Sequence, residues 1–156
     1  MGDIFSMKLR AMHPALFVLF LLGLSYALEL PLVLLQSQFE SLQYGDGSPA
    51  IQSADLLGRL FIGSLLGPLV ETALFQWAPV RLLYTKLRLP LPLVIFASAS
   101  LFAITHAYSV GYVVFAFLFG LVLAYGFVVR DGEGQSPFFL VFLVHAIRNG
   151  IASLLN

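Results

Sequence analysis

The feature that most constrains this chain is a succession of apolar runs, each close to the length of a bilayer-crossing helix and separated from the next by a polar, basic or turn-forming link. The runs extend from Pro14 to Gln36, Leu56 to Val80, Leu91 to His106, Val110 to Val129 and Phe138 to Leu155. A spanning helix needs roughly 20 mostly apolar residues. The expected fold is therefore all-α, a polytopic transmembrane helix bundle with about five spanning helices, read as one integral membrane domain over residues 1–156. Composition agrees: 60% of residues are hydrophobic, 10% are charged and the mean hydropathy is +0.94, outside the range of a soluble domain of this size.

The formal net charge is zero, which gives no electrostatic reason to expect a nucleic-acid partner. The chain has no cysteine, so disulfides, thiolate metal sites and a cysteine nucleophile are excluded. Any catalysis falls to Glu, Asp, His, Ser or Thr.

Lys8 and Arg10 precede an apolar run that reaches 25-SYA-27, as in a secretory signal. The run continues through 30-LPLVLL-35, longer than a signal core, so a retained helix is expected, with Glu29 and Pro31 marking a kink or the outer interface. The loop 37-SQFESLQYGDGSPAIQSAD-55 is polar and carries no Lys or Arg. Lys8 and Arg10, then Arg81, Lys86 and Arg88, then Arg130 all fall on one side of the bundle. The positive-inside rule therefore expects a multi-pass cell-membrane protein with a cytoplasmic N-terminus and an external C-terminus.

Ionisable side chains inside a membrane cost several kcal/mol and usually face the bundle interior. Glu71, in 66-LGPLVETALFQW-77, stands alone among apolar and aromatic residues, and His106, His145 and Asn149 join it as intramembrane polar groups. Taking a turn near Leu89 as the tip of a hairpin, Glu71 lies before it and His106 after it by nearly equal spacing. At about 1.5 Å per residue both fall ~26 Å from the tip, provided the second helix continues toward Lys86. His145 and Asn149 are spaced i, i+4 and share a helix face, with His145 ~14 Å beyond Ser136. One polar site drawn from three helices is expected.

A carboxylate among Leu, Phe and Trp resists carrying charge, which suits it to take a proton from water and return it to a leaving amine. A neutral histidine can orient that water, and a second histidine with an asparagine amide can donate to an oxyanion. Glu, two His and Asn thus supply the parts for peptide-bond hydrolysis without a covalent intermediate. Each residue also has a packing explanation. Glu71 could make an interhelical hydrogen bond or relay protons, His106 could sit at the interface with Tyr108 and Tyr112, and His145 and Asn149 could be interhelical glue. Arg148 is expected to snorkel or pair, Trp77 to anchor at the interface, and Ser98 and Ser100 to permit close helix approach. The stripe 115-FAFLF-119 is read as lipid-facing or packing surface.

The same residues fall into an ordered pattern: 71-ETALFQ-76, then Phe102 and His106 in 97-ASASLFAITH-106, then 145-HAIRN-149. In this the chain resembles the CPBP family of intramembrane proteases, also called the CAAX prenyl protease type II or ABI family, with a protease-like core over 56–155. The resemblance implies that Glu71 is the general base, His106 its partner in orienting water, and His145 with Asn149 the oxyanion stabilisers. Phe102 belongs to the second motif. Thr72 stands where the family carries a second glutamate and Gln76 where it carries arginine, so these two are expected to hydrogen-bond beside the site in place of an ion pair. The implied scheme needs no cofactor; zinc held by Glu71, His106 and His145 is the alternative. The implied partners are the lipid bilayer and a membrane-associated peptide or protein substrate: a C-terminal sorting segment, a leader peptide or a prenylated C-terminus. A non-catalytic immunity or scaffolding protein of the same fold is the alternative function, and a proton-coupled transporter a third.

Overall fold

In the computed structural model, residues 4–36, 38–39, 48–132 and 136–155 are described, and among them there is no strand. A short N-terminal helix α1 (Ile4–Ala11) leads into α2 (Pro14–Gln36). After a one-turn helix α3 (Pro49–Gln52) comes α4 (Leu56–Lys86), then α5 (Leu91–Ile104), α6 (Val110–Arg130) and α7 (Pro137–Leu155). Four of these, α2, α4, α6 and α7, are long and apolar enough to cross a membrane. The fifth expected span, α5, has 14 residues and rises only about 21 Å, short of the ~30 Å hydrocarbon core. It starts behind Pro90, and at its far end the Thr105 hydroxyl donates to Phe102 O at 2.8 Å where the backbone leaves the helix. His106 therefore follows the end of the helix, in a turn, and Ser109 caps α6 by accepting from Tyr112 N at 3.0 Å.

The second expected helix, Leu56 to Val80, runs on to Lys86 as the shared depth of Glu71 and His106 requires. Its backbone is largely π-helical, and wide turns fall directly before its two prolines. Gly67 N bonds Ile62 O ahead of Pro68, and Ala78 N bonds Ala73 O ahead of Pro79. A proline has no N–H and its ring crowds the preceding turn, so widening relieves the clash without breaking the helix. The hairpin tip lies at 87–90, where Leu89 N bonds Leu83 O at 2.9 Å and Arg88 takes a left-handed φ of 53°.

The core is the meeting of α2, α5, α6 and α7, with Phe17, Leu21, Val94, Leu123, Phe127, Val141 and Val144 sealed from solvent. α5 and α6 approach closely because Gly120 faces Ala99. Ser98 lets α4 approach α5, its hydroxyl donating to Phe75 O, while Ser100 bonds back to Phe96 O within its own helix. The opposite faces carry exposed Leu, Ile, Val and Phe on every long helix, the pattern of a bundle solvated by lipid tails. Phe119 is buried and Phe115 half-buried, so the Phe stripe on α6 is packing surface.

At the end of the bundle that holds residues 10–12, 81–88 and 130–131, Arg81 forms a two-pronged bond with Asp131 at 2.7 and 3.1 Å. There Arg130 donates to Arg10 O at 2.9 Å and to Met12 O, and stacks on Phe17 at 4.4 Å. The basic residues of the positive-inside argument thus share one end.

Candidate active site

Glu71 sits on α4 between the two widened turns, His106 in the turn after α5 and His145 on α7. The fold brings the three side chains together. His145 Nε2 lies 3.3 Å from Glu71 Oε2, and His106 Nε2 lies 3.8 Å from Glu71 Oε1. The carboxylate is thereby addressed by one imidazole on each oxygen.

The ring nitrogens have different duties. His106 Nδ1 is 2.7 Å from Phe102 O, and a carbonyl only accepts, so this nitrogen carries the proton and Nε2 of the neutral ring is left as an acceptor. His145 Nδ1 is buried with no hydrogen-bond partner among the described residues, which assigns the ring proton to Nε2, facing the carboxylate. Phe102 connects both histidines. Its ring is 4.3 Å from that of His106 and 5.5 Å, edge-on, from that of His145. Tyr112 stacks parallel to His106 from the other side, with centroids 6.1 Å apart.

Exposure separates the roles further: the Glu71 side chain is 28% exposed, His106 14% and His145 2%. Glu71 and His106 face a cavity of about 370 Å³ that continues past Asn149 and Tyr112 to Arg59 and Gln52. It opens at the bundle end opposite the basic cluster, where α3, the start of α4 and the end of α7 meet. Asn149 is on the cavity wall, its amide donating to Gly63 O at 2.9 Å and so tying α7 to α4. Gly67 lies beside Glu71; a β-carbon there would sit 3.9 Å from its Oε1 and 3.0 Å from Ile62 O.

Thr72 and Gln76 are fully buried, and among the described residues their side-chain oxygens and the Gln76 amide nitrogen have no hydrogen-bond partner. The expectation that they would bond in place of an ion pair is not met. The charged pair beside the site lies elsewhere. Arg148, expected to snorkel or pair, is buried and donates to Glu29 Oε2 at 2.5 Å across to α2. Sequence reasoning placed Glu29 at a kink or interface and missed this partner; the signal was two opposite charges in separate apolar runs, which in a membrane find each other. Tyr112 and Arg59 as cavity walls were also missed. Trp77 is about half exposed on the outer face of α4.

No group of three His, Cys, Asp or Glu side chains among the described residues forms a set that could hold a metal ion. The two histidines meet opposite oxygens of Glu71.

The family of type II CAAX prenyl endopeptidases, Rce1-like, matches residues 53–151. The chain belongs to this family. The Rce1-like match runs from just before α4 into α7 and takes in every residue of the constellation, while α2 and Glu29 lie outside it. Comparisons with curated proteins and with solved structures return no match. Membership in the Rce1-like family, with four membrane-length helices, makes this a multi-pass membrane protein and, in general terms, a CAAX-type intramembrane protease.

Proposed function

We propose that the chain is an intramembrane endopeptidase of the glutamic type, in which Glu71 activates water for attack on a peptide carbonyl. The observation that carries this is the pair of unlike histidine contacts on the two oxygens of Glu71. His106 Nε2 and Glu71 Oε1 are too far apart to bond directly, yet a water about 2.8 Å from each fits at an angle of about 85°. Donating one hydrogen to Glu71 and one to His106 aims its lone pair along the cavity. As the water attacks, Glu71 takes its proton and the peptide C=O becomes an oxyanion. Protonation lowers the demand of Glu71 for the His145 Nε2–H, which is then released to the oxyanion together with the second hydrogen of the Asn149 amide. Collapse of the intermediate breaks the C–N bond, and Glu71 returns the proton to the leaving amine.

The orientation that accords with this reading has the basic end in the cytoplasm and the N-terminus with it. The C-terminus and the mouth of the cavity then face outward. A substrate enters from that side, as a leader peptide or the C-terminal segment of a surface protein would.

The test uses purified protein in lipid nanodiscs and a pool of quenched-fluorescent peptides, with and without a C-terminal lipid. Glu71→Gln should abolish cleavage, and chelator should leave the wild-type rate unchanged. Cleavage by Glu71→Gln at the wild-type rate would sink the mechanism, and loss of activity in chelator restored by zinc would replace it with metal chemistry. The unpartnered Thr72 and Gln76 keep one rival in view, a non-catalytic immunity or scaffolding role. Partner protection that survives combined Glu71→Ala and His106→Ala changes favours that rival.

A further inference from the structure

We propose that Arg148, clamped by Glu29, is a positioning residue for both histidines, acting through two rows of aromatic rings on α6. This rests on the reading of Glu71, His106 and His145 as catalytic. Arg148 is 6% exposed, within an apolar helix, and its contact with Glu29 joins α7 to α2. Its guanidinium lies 4.1 Å from the centre of the Tyr26 ring, 5.1 Å from Phe115 and 5.3 Å from Phe119. Cation–π attraction of this kind holds ring and guanidinium plane in a set relation, more so without water to compete.

Each of the two α6 rings leads to a histidine. Phe119 meets His145 edge-on with centroids 5.2 Å apart. Phe115 packs edge-on against Tyr112 at 5.5 Å, and Tyr112 stacks on His106 at 6.1 Å. Phe115 and Phe119 are themselves parallel at 6.1 Å. The guanidinium is therefore a shared origin for the two rows that fix the imidazole planes. Fixed planes matter because His145 has no Nδ1 partner to hold its ring. Apart from the Glu71 contact itself, its direction depends on the rings packed around it.

A purely architectural ion pair would hold α2 against α7 and leave the imidazoles unaffected, which gives the test. The chain has three histidines, so the ring nitrogens of [15N]histidine-labelled protein in nanodiscs can be assigned by removing them one at a time. Wild type should show His106 with its proton on Nδ1 and His145 with its proton on Nε2, each as one sharp set. The double variant Glu29→Gln/Arg148→Met removes both charges together and leaves no unpaired ion behind. It should keep its helix content while the His145 signals broaden into exchange between tautomers, and kcat on the peptide pool should drop by about 10²-fold with KM nearly unchanged. Should the double variant not fold, Glu29→Gln alone decides, since it keeps an acceptor for Arg148 but loosens the clamp. Either variant, folded, with wild-type histidine spectra and wild-type kcat overturns the proposal. The spectra need no substrate, so a protein whose signals respond but which cleaves nothing in the pool retains the positioning role and loses the protease reading.

Discussion

His145 Nε2 stands 3.3 Å from Glu71 Oε2, while among the described residues its Nδ1 has no hydrogen-bond partner. The ring thus has one polar task, and replacement should separate that task from packing. His145→Phe retains an aromatic ring between Phe102 and Phe119 and removes the unpartnered nitrogen, so thermal stability should hold or rise. Cleavage should fall by roughly 10²-fold or more, the usual loss when one donor to developing charge is removed. His145→Gln carries an amide N–H near the same position and should recover part of the rate. Unfolding midpoints and cleavage rates of the two variants check this; equal rates for Phe and wild type would remove His145 from the mechanism.

The approach of α5 to α6 yields a second expectation. A methyl group on Gly120 would sit 3.1 Å from Ala99 Cα, 3.3 Å from Ala99 O and 3.2 Å from the Phe102 ring. Backbone cannot give way there, so Gly120→Ala should destabilise by about 1–3 kcal/mol. It should also reduce cleavage beyond what lost folding explains, because Phe102 holds His106 through its carbonyl and its ring. Gly23 is the control. Nothing lies within 4 Å of a β-carbon at that position, and Gly23→Ala should gain up to about 1 kcal/mol of helix preference with activity intact. Denaturation curves and specific activities of the two alanine variants make the comparison.

The number and order of apolar helices was legible because a bilayer demands long unbroken runs. The meeting of Glu71 with His106 was legible because hairpin partners equidistant from a turn share a depth. What escaped depended on detail that periodicity does not carry. The α5 helix stops before His106 because Thr105 bonds back to Phe102 O, and no apolar count distinguishes a helical residue from the turn that follows. The wide turns of α4 precede Pro68 and Pro79, and a regular 3.6-residue period does not anticipate them. Glu29 and Arg148 are 119 positions apart; each was visible as an intramembrane charge, but pairing them needed the packing of α2 on α7. Thr72 and Gln76 were expected to bond, yet among the described residues the Thr72 hydroxyl and both polar ends of Gln76 have no partner; a motif position does not say what the neighbouring helices offer it.

That last pair carries a third expectation. Gln76 is fully buried with both polar ends unpartnered among the described residues, and so is the Thr72 hydroxyl. A buried polar group without a partner costs about 1–3 kcal/mol. The changes Gln76→Met and Thr72→Val, which remove the unpartnered groups at similar shape, should therefore raise the thermal midpoint and leave cleavage within about twofold of wild type. A sharp loss of cleavage in either variant with the fold intact would show that these groups serve the reaction.

The absence of cysteine makes the orientation directly measurable, since any introduced thiol is the sole one. Gln52, the last residue of α3, lines the cavity, whereas Lys86 ends α4 at the basic end. A membrane-impermeant maleimide added to intact cells should label Gln52→Cys at once and Lys86→Cys only after permeabilisation. The physical basis is the clustering of Lys8, Arg10, Arg81, Lys86, Arg88 and Arg130 at one end, which resists transfer across the membrane during insertion. A peptide held in the cavity should slow labelling at Gln52→Cys and leave Lys86→Cys unaffected. The opposite labelling order would invert the chain, turn the cavity toward the cytoplasm and restrict its substrates to proteins presented from that side.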